Sequence, residues 1–271
     1  MQNSKFINAL QHLSTRERSK FRELAYSPFF NKNKKVRRLI DHCLAYAPGF
    51  EGEGLEKEKI FEHLFGIEVY KELKINNVIS DALKLLYLFL AQQSIMEQEY
   101  QWRNHQMNGI LQHQMVRHLP GIERRLQSLQ KKRVDNSHDY FYQQYHLEER
   151  LDKSMLMQQG REYSPHLQHA NNALDQYYWC NKFRLACDMA SRNKIIKAAY
   201  ECHFAEQLIT IYQTQPEVLR AHPAIQLYYQ ALLMIQTEQE GHYRTLRRLL
   251  DEHSQVLPVE ERYDLYDYAQ N

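Results

Sequence analysis

The sequence predicts an all-α protein, and three observations carry that reading. Only 8 glycines and 7 prolines interrupt 271 residues, where average usage gives roughly 30. Apolar residues recur at i, i+3, i+4 and i+7 through most of the chain, the spacing of a helix with one buried face. No stretch reads as a convincing strand, and most breakers fall between the periodic segments. The expected architecture is an N-terminal helical bundle over residues 1–119 and antiparallel helix pairs over residues 120–271.

The elements follow in order. Ser14-Thr15-Arg16-Glu17 fits a capping box, in which hydroxyl and carboxylate satisfy each other's free amides. The helix it opens carries Phe21 and Leu24 inward and should stop by Tyr26, because Ser27 precedes Pro28. A second helix is expected over 33–46, with Val36, Leu39, Ile40, Cys43 and Leu44 on one stripe, and a short one over 56–65. Val78, Ile79, Ala82, Leu85, Leu86, Phe89 and Leu90 keep helical spacing, and Leu83, Tyr87 and Leu88 fill the rest of the circumference. A helix apolar nearly all round is buried by several neighbours, so this one belongs at the bundle centre. The Gln-rich residues 92–114 read as its long exposed continuation.

Pro120-Gly121 is the expected boundary. Beyond it come a basic helix over 122–132, another over 137–159, and one from Ser164-Pro165 to 191, with Ser as N-cap and Pro at the first helical position. A helix over 195–212 should end near Pro216. His222-Pro223 and Leu257-Pro258 lie 35 residues apart, with helices over 224–238 and 241–253 between them. The chain then runs through residues 259–266, which read as the first helix of another pair. That pattern suggests a piece of a longer protein or an unpaired closing helix.

A period near 34, paired helices and a proline opening the repeat resemble a tetratricopeptide-type repeat. The resemblance implies an α-solenoid with a groove for protein or peptide partners. The characteristic Trp, Leu-Gly pair and small crossing residue are not all present, so the repeat is a divergent one. The segment Ser27-Pro28-Phe29-Phe30-Asn31-Lys32-Asn33-Lys34 is similar to the N-terminal region of an uncharacterised family of bacterial helical proteins with no assigned activity. That resemblance implies helices.

Composition excludes several classes. A net charge of +2 with 25% charged residues argues against a protein built throughout for nucleic acid. The start lacks a basic stretch followed by an apolar run, so no secretory leader is read there. The most apolar stretch, residues 78–90, carries Asp81 and Lys84 and is too short to span a bilayer. Four widely placed cysteines read as reduced thiols, which fits a cytoplasmic protein without a membrane segment.

No cofactor, metal or catalytic motif is expected. There is no His-Glu-x-x-His, no Glu-x-x-His and no Gly-x-Ser-x-Gly. The loop Gly49-Phe50-Glu51-Gly52-Glu53-Gly54 is acidic, the wrong sign for cradling phosphate. His166 and His169 stand i, i+3 and could share a metal, but solvated or capping histidines are the simpler reading. Cys180 and Cys187 share a helix face as structural thiols.

Two features remain. Tyrosine is abundant, with 19 residues, and the pairs Tyr177-Tyr178 and Tyr228-Tyr229 offer large contact area with a polar tip for a protein-binding groove. Basic residues cluster at Lys32, Lys34, Lys35, Arg37 and Arg38, and at Arg124, Arg125, Lys131, Lys132 and Arg133. The expected function is therefore a non-catalytic protein- or peptide-binding scaffold. The alternative is a nucleic-acid-associated regulator gripping phosphates through the basic clusters.

Overall fold

Caps and breakers set several of the helix boundaries in the computed structural model, which describes residues 1, 3–133, 136–214 and 221–270. Among the described residues there are thirteen α-helices and no strand. None of these helices is long and apolar enough to cross a membrane. The chain divides into two units, Met1–Glu99 and Tyr100–Asn271. Pro120-Gly121 lies inside the second, where it opens a helix after a short 3-10 turn at Val116–His118.

The first unit holds α1 (Lys5–His12), α2 (Thr15–Tyr26), α3 (Lys34–Leu44), α4 (Lys57–Phe65) and α5 (Glu72–Glu97). The Ser14 capping box forms as expected: the Glu17 amide donates to the Ser14 hydroxyl at 3.3 Å and the Ser14 amide to the Glu17 carboxylate at 2.7 Å. Asn33 caps α3, its side chain accepting from the Lys35 amide at 3.0 Å. α1 was not expected, yet Phe6, Ile7 and Leu10 lie at the bottom of the core beside Phe21, Leu39, Ile40 and Leu86. α5 packs against α1, α2, α3 and α4, the central position its pattern predicts. It does not bury its whole circumference: Tyr87, Leu88 and Leu90 stay exposed. It also ends early, because Gln98 leaves helical geometry (φ −99°, ψ 94°).

The second unit holds α6 (Glu99–Gln112), α7 (Leu119–Lys131), α8 (His138–Gln159), α9 (Pro165–Ile196), α10 (Ala205–Thr214), α11 (Pro223–Thr237), α12 (Glu240–His253) and α13 (Val259–Gln270). α8 and α9 form one hairpin and α11 and α12 another, with α11 packed on α9 and α13 on α11. A helix spanning 195–212 does not form. α9 runs on to Ile196, Lys197 turns left-handed (φ 51°), and the Asn193 side chain ties down the Tyr200 backbone through two 2.9 Å hydrogen bonds before α10 begins. Pro216, expected to end that helix, lies outside the described residues.

A polar knot of partly buried His138 and Glu261 borders the second unit's apolar core at the buried Tyr228. The Tyr228 hydroxyl donates to the Glu261 carboxylate, whose other oxygen lies 3.1 Å from His138 Nδ1. Burial pushes Glu261 up, but the contacts with His138 and Tyr228 and the field of Arg184 outweigh it and hold the carboxyl below its ordinary value. Burial, then the Glu261 charge, pushes the Tyr228 phenol far up, so it remains a donor.

Candidate binding surface and histidine–carboxylate centre

α9 is the longest helix, and its composition explains how it can serve two environments. Ala170, Ala173, Cys180, Phe183, Ala186 and Cys187 are buried toward α8 and α11. Leu167, Leu174, Tyr178, Leu185 and Ile196 are exposed, with half-buried Met189 among them. The steps along this exposed series are 7, 4, 7, 4 and 7 residues. At about 100° per residue these six positions fall within about 60° of arc, and at 1.5 Å per residue the stripe is about 44 Å long. The deepest positions, Cys180, Phe183 and Cys187, lie across the helix from it. The exposed Arg192 falls on the stripe and Lys182 flanks it.

The structure separates the four tyrosines. Tyr178 is 47% exposed and stands on the stripe, edge-on to Trp179. Tyr177 is half-buried, its ring 5.2 Å from that of Tyr142 and its hydroxyl accepting from Asn181. Tyr228 is 1% exposed and belongs to the core. Tyr229 stacks on Tyr212 with centroids 4.0 Å apart, against Phe183. On this helix the sequence reading assigned Tyr177 and Tyr178 to a binding surface but none of the leucines, although their 7-and-4 spacing was visible.

The basic clusters lie in different units. Lys32 and Lys34 are exposed. Lys35 sits 3.9 Å above the Phe65 ring, Arg37 over Tyr26, and Arg38 donates to the His63 carbonyl. In the second unit, Arg124, Arg125, Lys131 and Lys132 are exposed on and just after α7. Arg124 donates to the Pro120 carbonyl, and Arg133 is held by Gln143 at 2.7 Å and Asp139 at 3.3 Å, over the Tyr140 ring. Several of these cations are thus occupied by the protein itself.

A depression of about 440 Å³ opens where α9, α11, α12 and α13 meet. Ile195, Met234, Ile235, Tyr243 and Tyr268 line it, with the Lys194–Glu238 ion pair at its edge.

Near the start of α9 a second arrangement appears. Glu148 of α8 is 7% exposed, and its Oε1 accepts from Gln144 at 2.6 Å. Its Oε2 lies 2.7 Å from His166 Nδ1 and 3.7 Å from His169 Nδ1. The hairpin thereby gathers three metal-ligating side chains whose ligand atoms lie within 4.8 Å of one another.

Comparison with known proteins adds no relative: no family model, curated protein or solved structure matches this chain, and neither resemblance seen in the sequence gains support from them.

Proposed function

We propose that the chain is a non-catalytic protein-binding scaffold whose second unit holds an amphipathic helical segment of a partner along α9. The observation that carries this reading is the exposed apolar stripe of Leu167, Leu174, Tyr178, Leu185 and Ile196. A single exposed leucine needs no explanation, but a series of exposed apolar side chains aligned on one helix face, with only Asn171 and Arg192 interspersed, marks an interaction surface. Its straight course suits helix-in-groove recognition, with Tyr178 as the anchor that combines area and a polar tip. Arg192 and Lys182 favour a partner with acidic residues beside its apolar face.

We further read the two hairpins, with α13 following, as a divergent tetratricopeptide-like array. In support, Pro223 sits in the first turn of α11 and Pro258, 35 residues later, immediately precedes α13. A cytoplasmic setting fits the four free cysteines.

Selection of a displayed library of helical peptides against the whole chain tests the reading. The expected binders carry apolar residues at alternating 7 and 4 spacing with acidic neighbours, and Leu174→Asp with Leu185→Asp weakens them at least tenfold. Equal affinity for that double variant sinks the α9 surface. Micromolar duplex DNA binding with a steep salt slope, lost on Lys34→Glu with Lys35→Glu, would instead support the nucleic-acid reading.

A further inference from the structure

We propose that Glu148, His166 and His169 form a site for one divalent transition-metal ion of the zinc class. Three observations converge on it. Both imidazoles present the same nitrogen, Nδ1, to one carboxylate oxygen, Glu148 Oε2. That carboxylate is buried, and among the described residues the basic side chains within ion-pair distance of it are these two histidines. A carboxylate taken out of water needs a compensating charge and its full set of hydrogen bonds. An ion held by two neutral imidazoles and the carboxylate meets that need.

The geometry is close to what coordination requires. Ligand bonds of about 2.0–2.2 Å in a tetrahedral arrangement place donor atoms roughly 3.4 Å apart. The Glu148–His169 separation of 3.7 Å is already near this value. The Glu148–His166 separation of 2.7 Å is a hydrogen bond, so the ion takes the place of its proton, and His166 binds through Nδ1 as the neutral ring with its remaining proton on Nε2. Rotation of an exposed His169 and a half-buried His166 supplies the adjustment, while the Gln144 amide fixes the other carboxylate oxygen from outside the coordination shell.

Two imidazole nitrogens and one carboxylate oxygen suit zinc, and three protein ligands leave a fourth position open. Each histidine borders a solvent-open cleft. His166 borders a cleft of about 300 Å³ with Glu123, Ser154 and Gln158, and His169 borders one of about 360 Å³ with Asn172 and His222.

The test uses the full chain, stripped with a chelator and titrated with zinc against a chromophoric competitor. One equivalent should bind with a dissociation constant in the micromolar range or tighter. His169→Ala and His166→Ala should each weaken it at least tenfold, while His203→Ala, at an exposed position elsewhere, leaves it unchanged. Cobalt substitution should give the visible absorption of a four-coordinate nitrogen–oxygen site. Because His169 is exposed, its variant keeps the fold, which circular dichroism verifies. Absence of a stoichiometric site, or full-strength binding by the double histidine variant, overturns the proposal. Either result leaves the peptide selection on α9 unaffected.

Discussion

Glu261 shows how one side chain ties helices that are distant in sequence. It accepts from Tyr228 of α11, faces His138 of α8, and itself belongs to α13. Its folded pKa lies below the unfolded value near 4.5, so its contribution is fully present above about pH 4.5 and fades as pH falls through the folded value. Glu261→Gln should therefore destabilise the protein at pH 7 by about 1–3 kcal/mol. Urea denaturation should show the gap to the parent shrinking on acidification to about pH 3.5; a constant gap would contradict this. The cysteines give a second residue-scale expectation. Burial pushes Cys43 up to about 12 and Cys180 and Cys187 up further, whereas Cys202 is only partly buried. A thiol reagent at pH 8 should label Cys202 first and the other three only in denaturant. The cysteine spacing in the sequence did suggest structural thiols. Glu148 did not announce itself, because its link to His166 depends on how α8 and α9 align across their hairpin, and spacing within one helix carries no such information.

At the scale of elements, local chemistry was legible wherever a residue type has a single strong preference. Ser14, Asn33, Pro165 and Pro223 each mark a helix start in both sequence and structure. What escaped was decided by tertiary contacts. α1 is the exception: it is eight residues long, too short to declare itself by periodicity, although Ser4 caps it locally, its hydroxyl accepting from the Ile7 amide. The break at Gln98 has no Gly or Pro. The end of α9 rests on Asn193 reaching forward to Tyr200. The acidic loop before α4 has a structural role: Phe50 and Leu55 are buried, and a Cβ at Gly54 would come within 1.8 Å of the Tyr46 hydroxyl oxygen. Gly54→Ala should cost about 1–3 kcal/mol by overpacking. A double-mutant cycle with Tyr46→Phe should recover part of that loss; no coupling would mean the clash is relieved elsewhere.

At the scale of the molecule, the hydrophobic clusters partition cleanly. Among the described residues, the cluster from Phe6 to Phe89 is built from the first unit, and those around Phe183 and around Leu126 are built from the second. Residues 1–99 expressed alone should fold cooperatively, with a helical circular dichroism spectrum and a sharp thermal transition. Leu86→Ala should destabilise that fragment by about 2–5 kcal/mol, and in the full chain it should leave zinc affinity unchanged. α11 has a further consequence. Nine of its fifteen residues are buried, and it lies against α9, α12 and α13. No partial opening of the second unit can release α11 without undoing three helix contacts, so its amides should be the last to exchange with deuterated solvent, on the timescale of global unfolding. A partner gripping α9 would then read out as slowed exchange along its exposed stripe, against an α11 that was already silent.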